Sequence, residues 1–296
     1  MIETTPHSSS ETAEPDTTTS GQRGEPVVTI EPPSGWRLGG LKDLRHYGDL
    51  LYFLAWRDIK VRFKQTALGA AWAVLQPFIL MVVFSLFLAK LGGLKAPDNI
   101  PYPVFTYAAL LPWTFFAQSF LGASESLVQN SNLVSKVYFP RLAMPLAAAS
   151  SYLLDLAIGF VVLVAIMLYY QMSLSVTILL LPLFTIAALV TSAAVGVLFS
   201  AVNVRYRDVR YAVPFIVQIW LLITPVAYSS SVVPDAYQVI YGLNPMAGVV
   251  EGFRWALLGT KPPGPMMFVS IATMILLLGF ALAYFQRVER NFADVI

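Results

Sequence analysis

Long runs of uncharged residues, separated by short charged segments, divide most of the chain after residue 64. The following runs contain no Asp, Glu, Lys or Arg: residues 65–89, 99–124, 211–234 and 262–286. Another 49 uncharged residues separate Asp155 from Arg205, enough for two crossings because a helix of about 20 apolar residues spans a bilayer. The pattern predicts six transmembrane helices, at about 67–89, 102–124, 142–170, 176–202, 211–231 and 264–286.

Residues 47–65, ahead of the first predicted span, have a helical pattern with two different faces. One face holds an apolar and aromatic set, Tyr52, Trp56, Ile59 and Phe63. The adjacent face holds a basic set, Arg57, Lys60 and Lys64. Such a pattern is typical of a helix lying in the membrane interface. An ordinary basic flank on the cytoplasmic side of the first span is the alternative.

The segment 235–261, between the last two predicted spans, contains a helix too short to cross a membrane. Asn244 is a favourable cap and Pro245 a favourable first helical residue. A helix from there to Gly259 is roughly 20 Å long, against about 30 Å of hydrocarbon. We therefore expect a re-entrant segment on the external side, in which Glu251 and Arg254, three residues apart, neutralise each other.

Composition supports a membrane protein. The 296 residues are 57% hydrophobic and 12% charged, whereas soluble domains carry about 25% charged residues. We therefore predict an all-α integral membrane protein with an amphipathic interfacial helix, six spans and short re-entrant helices between spans 5 and 6. Residues 1–34 are acidic and rich in Ser, Thr and Pro, which predicts a disordered cytoplasmic tail ahead of a transmembrane domain at 35–296.

The chain lacks the residues that metal binding, catalysis and ATP binding commonly require. The chain has no Cys and two His, so we expect no metal site, and no set of residues suggests a catalytic site. A Gly-x-x-x-x-Gly-Lys-Ser/Thr phosphate loop is also missing. We therefore expect no enzyme activity in this chain itself.

The distribution of Lys and Arg predicts the orientation. With six spans, 15 of the 19 basic residues fall on the side of the two termini and four on the other side. Because basic residues are enriched in cytoplasmic loops, we expect both termini in the cytoplasm.

A few residues within the spans have alternative interpretations. Asp155 is the one acid deep in a predicted span, either hydrogen-bonded to a neighbouring helix or coupling transport to an ion. Small residues recur every four positions in the fourth span, which predicts close helix packing: Ala188, Ser192, Gly196 and Ser200. Four aromatic residues either line a sugar-conducting channel or belong to interfacial belts: Trp72, Phe115, Phe116 and Trp220.

From about residue 45 to the C-terminus, the chain resembles the membrane subunit of ABC-2-type polysaccharide exporters. The resemblance depends on the order and spacing of several motifs: LAWRDIKVRFK at 54–64, LGAAW at 68–72, QP at 76–77, KVYFPR at 136–141, VRYRDV at 204–209, LNPM at 243–246 and ERNFADVI at 289–296. The acidic tail lies outside this pattern.

The resemblance implies a permease in the bacterial cytoplasmic (inner) membrane that forms a homodimer and binds two copies of a cytoplasmic ABC ATPase. ATP and Mg would then be bound by the partner, and nucleic acid would not be involved. The substrate would be a glycan linked to an undecaprenyl-type pyrophosphate lipid, such as O-antigen, teichoic acid or a galactan precursor. Residues 47–65 and 125–141 would dock on the ATPase, and the first and fifth spans would form a lateral opening to a channel between protomers.

Combining the resemblance with the charge pattern yields candidate residues. For the lipid pyrophosphate they are Arg57, Lys60, Arg62 and Lys64, because the cations cluster at interfacial depth. For coupling to the ATPase they are Lys136, Arg141, Arg205, Arg207 and Asp208, although the last three can also serve only as topological anchors. Alternative functions are an ABC-2 exporter of drugs or lipo-oligosaccharide, an ion-coupled carrier that uses Asp155, and a scaffold without cargo.

Overall fold

The computed structural model describes residues 47–64, 71–136, 139–173 and 175–289, which lie in one compact unit, 38–296. Within these ranges the chain forms helices and no β-strand, which confirms the all-α membrane architecture. The predicted tail 1–34, the start of the first span at 67–70 and Gln65 lie outside the described residues.

The helices are named here in chain order. They are α1 (Gly48–Lys64), α2 (Ala71–Phe84, continued by a π-helix Ser85–Leu91), α3 (Tyr102–Gln129), α4 (Ser131–Lys136), α5 (Ala143–Ser151), α6 (Leu153–Tyr169), α7 (Leu181–Arg205), α8 (Val209–Ile223), α9 (Asp235–Tyr241), α10 (Pro245–Leu258) and α11 (Pro265–Glu289). Short 3-10 turns lie at Pro97–Asn99, Val176–Leu180 and Ser230–Val232.

Five segments of the described chain are long and apolar enough to cross a membrane: Ala71–Leu91, Tyr102–Gln129, Ala143–Tyr169, Val176–Arg205 and Pro265–Glu289. In the region of the fifth predicted span, 211–231, α8 has only 15 residues. Its length of about 22 Å is less than the hydrocarbon thickness of about 30 Å. The chain leaves the helix at Thr224, so this apolar segment is helical only in its first part.

Helix α3 is the centre of the bundle, with most of its side chains buried against its neighbours. It packs most extensively on α7, where the predicted small residues are found. A Cβ atom placed on Gly196 would lie 2.4 Å from the Cβ of Ala123 in α3. The absent side chain thus permits the close helix contact that the four-residue spacing predicted.

Helices α2, α6 and α11 have much more exposed apolar surface than α3. On α2, for example, Phe87 is 61% exposed and Trp72 is 53% exposed. Exposed apolar faces of this size on spanning helices are expected to contact lipid or another protein chain.

Helix α10 confirms the local prediction for the segment between the last two spans. The side chain of Asn244 accepts a hydrogen bond from the backbone N–H of Met246, and Pro245 is the first helical residue. Gly259 ends the helix in the left-handed conformation, with φ +65°, where glycine has no steric penalty.

Helix α1 lies against α5, at the end of the bundle where α3 terminates. Its buried residue is Leu54, which joins an apolar cluster with Leu127 of α3, Leu142 and Phe285 of α11. This contact places Arg62 of α1 beside the junction of α5 and α6.

Candidate functional site

Two arginines attach α1 to the rest of the protein. Arg57 donates a hydrogen bond to Oδ1 of Asn130 at 3.0 Å, just after α3, and also pairs with the adjacent Asp58 at 2.9 Å. Arg62, near the C-terminal end of α1, pairs with Asp155 of α6 at 2.7 Å. The interfacial helix is therefore fixed to α3 and α6 by charged contacts.

Arg62 makes its contacts at the junction between α5 and α6. Its Nη1 donates to Oδ2 of Asp155, and its Nη2 donates to Oγ of Ser151 at 2.6 Å. The guanidinium carbon lies 3.6 Å from the centre of the Tyr152 ring, a stacked cation–π geometry. The other side of this junction is close to α3, because a Cβ on Gly122 would lie 2.7 Å from the Tyr152 ring. Together these contacts fix the orientation of the guanidinium.

A cavity of about 260 Å³ opens beside this ion pair, and we call it the α1 cavity. It lies between α1, α2, α3 and the α5–α6 junction, and its lining residues are Arg62, Phe63, Trp72, Ala73, Gln76, Pro77, Leu111, Thr114, Phe115, Gln118, Tyr152, Asp155 and Leu156. Polar and aromatic side chains thus converge between the start of α2 and the middle of α3.

The second carboxylate oxygen of Asp155 is chemically distinctive. Oδ1 is buried and has no hydrogen-bond partner within the described part of the chain. Nearby, Nε2 of Gln118 donates to Oε1 of Gln76 at 3.0 Å and joins α3 to α2. Each of these amides keeps a second polar atom that makes no hydrogen bond to another described residue. The α1 cavity is therefore lined by an amide pair able to bind hydroxyl groups, and the unpaired oxygen of Asp155 is buried beside it.

The four basic residues predicted for a lipid pyrophosphate are in different environments. Arg57 and Arg62 are half-buried and already paired with protein groups. Lys64 is exposed at the end of α1, and exposed Lys60 has its Nζ 5.5 Å from the centre of the Trp56 ring. In this structure the two lysines are the more accessible cations.

The four aromatic residues predicted for a channel are not on one surface. Trp72 and Phe115 line the α1 cavity. Phe116 is fully buried and packs edge-on against Trp220, with ring centres 5.0 Å apart. Trp220 in turn donates its indole N–H to Oδ1 of Asn244. The second pair therefore belongs to the interior packing between α3, α8 and α10.

The predicted coupling residues form two groups. Arg205, Arg207 and Asp208 are exposed where α7 turns into α8. Lys136 is exposed at the end of α4, whereas Arg141 is half-buried and donates to the backbone carbonyl of Glu289 at 2.6 Å. Residues 137 and 138 of the predicted docking segment 125–141 lie outside the described residues.

A second buried arginine lies at the opposite end of α3. Arg254 of α10 is fully buried and pairs with Glu251 at 3.1 Å, as the three-residue spacing predicted. Its guanidinium also donates to the backbone carbonyls of three residues just after α8: Pro225 at 2.7 Å, Val226 at 2.7 Å and Tyr228 at 3.0 Å. These bonds satisfy carbonyls that the early end of α8 leaves without helical partners.

Sequence reasoning identified Arg62 and Asp155 separately but missed that they pair. They are 93 positions apart, so no helical spacing connects them. Gln76 and Gln118 were visible as polar residues within uncharged runs, which was the available signal for the α1 cavity. Within the described ranges, no three His, Asp or Glu residues are grouped closely enough to hold a metal ion.

Comparison with known proteins places both arginine sites within a recognised sequence family. The pattern that defines the ABC-2 type transporter family matches residues 49–258. The chain is 26% identical over 255 residues to the O-antigen export system permease protein RfbA of Klebsiella pneumoniae, covering 86% of this chain and 97% of the relative. A protein of the same name from Myxococcus xanthus is 26% identical over 260 residues, covering 86% and 98%. The polysialic acid transport protein KpsM of Escherichia coli is 25% identical over 206 residues, covering 68% and 78%.

Proposed function

Because this chain belongs to the ABC-2 type transporter family, we propose that it is the membrane subunit of an ATP-driven polysaccharide exporter. The glycan is carried on an undecaprenyl pyrophosphate lipid and crosses the bacterial inner membrane. The similarity to O-antigen export permeases, which extends over 86% of this chain, is the observation that carries the proposal.

In this proposal ATP is hydrolysed by a separate protein. ATP and Mg²⁺ are bound by two copies of a cytoplasmic ABC ATPase, and the sequence of this chain contains no phosphate loop. Two copies of the present chain form the permease, with the glycan path between them. The exposed apolar faces of α2 and α8, which include Phe87 and Phe215, are suitable surfaces for a lateral opening toward the lipid.

Helix α1 receives the lipid head group in this proposal. Exposed Lys60 and Lys64 supply positive charge, while Arg57 and Arg62 hold the helix in place. A cation near the interface attracts an anionic head group, and a helix with two fixed points keeps that cation at a defined position.

The exposed turn between α7 and α8 and the segment after α3 face the ATPase in this proposal. Arg205, Arg207 and Asp208 have side chains available for a partner. Arg141 connects the segment after α3 to the end of α11 through the carbonyl of Glu289. A force applied to that segment would therefore reach the last span directly.

The test is reconstitution of the permease with an ABC ATPase from the same organism. The two proteins are co-expressed with a tag on the ATPase, purified together and placed in vesicles that contain the lipid-linked glycan. We expect the permease to co-purify, and ATP to drive glycan to the opposite side in the absence of any ion gradient.

Two outcomes would contradict the proposal. Glycan transport driven by a proton or sodium gradient without ATP would identify an ion-coupled carrier, for which Asp155→Asn is the diagnostic variant. ATP-dependent movement of a drug or a lipo-oligosaccharide, with no movement of the polysaccharide, would keep the transporter class but change the cargo. Two further variants test the turn between α7 and α8. If this turn couples ATP hydrolysis to export, complexes that carry Arg207→Glu or Asp208→Arg should hydrolyse ATP but export less glycan.

A further inference from the structure

We propose that the α1 cavity is a binding subsite for a sugar ring of the exported glycan, with Asp155 as its hydroxyl acceptor. The inference rests on the proposed function for the source of the sugar. It assigns the position and the chemistry of recognition to residues that α1, α2, α3 and α6 bring together.

The first argument is the state of Asp155. Its Oδ2 is held by Arg62, whereas its buried Oδ1 has no hydrogen-bond partner within the described residues. A buried carboxylate oxygen without a partner is unfavourable, and a hydroxyl donor relieves that cost. Ser151 and the Tyr152 ring hold Arg62 in position, so the carboxylate is fixed through its other oxygen. Oδ1 itself is closed to solvent in this structure, and the Asp155 side chain, which lines the cavity, turns to expose it when a sugar hydroxyl binds.

The second argument is the variety of hydrogen-bonding groups around the cavity. Gln76 and Gln118 bond to each other and each retains one further amide atom, a donor on Gln76 and an acceptor on Gln118. A sugar hydroxyl both donates and accepts, as a hydroxyl generally does. The lining therefore offers both kinds of partner within one small volume.

The third argument is the aromatic surface. The ring of Trp72 is 53% exposed, and Phe115 also contributes to the lining. Aromatic rings are large, rigid apolar surfaces, and the C–H face of a pyranose is the apolar part of a sugar. The volume of about 260 Å³ is roughly nine times the volume of about 30 Å³ that one water molecule occupies in the liquid, so the cavity has room for one sugar ring.

The charge of the lining distinguishes a sugar from the lipid pyrophosphate. Among the described residues that line the cavity, the one cation is Arg62 and the one anion is Asp155, and the two are paired at 2.7 Å. A pyrophosphate in this cavity would compete with the Asp155 carboxylate for the Arg62 guanidinium. The negative charge of the carboxylate would also repel the pyrophosphate. A neutral polyol has no such conflict, so the exposed lysines of α1 remain the better site for the head group.

Cysteine protection tests the inference directly, because the natural chain contains no cysteine. Gln118→Cys places a single thiol in the cavity, and Ser231→Cys places one on the exposed 3-10 turn after α8, outside it. Both variants are purified as the complex with the ATPase in lipid nanodiscs and labelled with a methanethiosulfonate reagent. The probe is the oligosaccharide released by mild acid from the lipid-linked glycan of cells that lack the permease.

We expect the oligosaccharide to slow labelling at position 118 about tenfold when its concentration is ten times its dissociation constant. Labelling at position 231 should not change. Inorganic pyrophosphate alone and undecaprenyl phosphate vesicles without sugar should protect neither position. Protection by pyrophosphate but not by the oligosaccharide would overturn the inference in favour of an anion site.

A second measurement uses variants that leave the ion pair intact. Trp72→Leu should raise the half-saturating concentration of lipid-linked glycan in the export assay roughly two- to tenfold, because binding is weaker. Trp72→Phe should restore most of the wild-type affinity. Phe268→Leu, at an exposed aromatic residue of α11 outside the cavity, is the matched control. If the wild-type complex exports glycan but neither protection nor the Trp72 effect is seen, the subsite is wrong and the proposed function stands. If the wild-type complex exports no glycan, the proposed function itself fails.

Discussion

Two arginines of this chain are each paired with an acid, at opposite ends of α3, and their surroundings differ in one respect. Arg254 is fully buried, and its donors are taken up by Glu251 and by backbone carbonyls after α8. Arg62 is 27% exposed and its partner Asp155 keeps one oxygen without a partner in the described chain. The first pair completes the fold, whereas the second borders a cavity with unused hydrogen-bonding capacity.

The difference shows how to separate structural from functional charges in a membrane protein. A charge near an apolar span is expensive and is therefore a functional candidate by default. Arg254 has a structural explanation, because its guanidinium replaces the helical partners that the carbonyls of Pro225, Val226 and Tyr228 lack. For Asp155, the contact with Arg62 accounts for one carboxylate oxygen, whereas the other oxygen has no partner within the described chain. The α1 cavity is therefore the better candidate for substrate contact.

The largest expected effect is on stability, from Arg254→Met. The change leaves Glu251 and three carbonyls without their donor, and breaking a buried pair in this way costs about 3–5 kcal/mol. We expect a strong fall in the thermal unfolding midpoint in detergent, measured by intrinsic fluorescence. Arg210→Met, at an exposed arginine of α8, is the control, and an equal midpoint in the two variants would show that Arg254 is not structural.

A smaller loss of stability is expected when the Arg62–Asp155 pair is broken. Charged hydrogen bonds contribute about 1.5–3 kcal/mol, and the lower end applies here because Arg62 is partly exposed. Arg62→Gln and Asp155→Asn, alone and together, form a double-mutant cycle whose coupling energy measures the pair. Additive effects of the two changes would contradict a direct interaction between them.

A steric change tests the support behind Arg62 without altering any charge. In Gly122→Ala the new methyl group would lie 2.7 Å from the Tyr152 ring, on which Arg62 stacks. We expect a destabilisation of about 1 kcal/mol from overpacking, accompanied by reduced export. Gly279→Ala in α11 meets nothing within 4 Å and should be neutral or slightly stabilising, because alanine favours a helix more than glycine does.

The smallest effect on stability is expected at the exposed lysines of α1. Lys60→Gln and Lys64→Gln should leave the unfolding midpoint unchanged, because neither side chain is buried. Each change should weaken binding of undecaprenyl pyrophosphate by about 1 kcal/mol, roughly fivefold, since each removes one interfacial cation. The affinity is measured by titration into the complex in nanodiscs, and wild-type affinity in the double variant would place the head group elsewhere.

Local features of this protein could be predicted from sequence because their physical causes lie within a few residues. The cap at Asn244, the stop at Gly259 and the Glu251–Arg254 pair all follow from the geometry of one helix. The close contact at Gly196 followed from a four-residue repeat of small side chains. The early end of α8 was not predicted, because the residues after Ile223 remain apolar and the tertiary partners of their carbonyls are not visible in the sequence.

The amino-acid pattern alone was enough to predict an all-helical membrane protein, the places where charge interrupts its apolar runs, and the basic face of α1. Tertiary structure decided which charges pair and which aromatic residues are accessible. Arg62 meets Asp155 across 93 positions, and Phe116 is buried while Trp72 remains half-exposed. The reason is physical: helical periodicity specifies only neighbours three or four positions apart, whereas contacts between helices depend on which faces pack together.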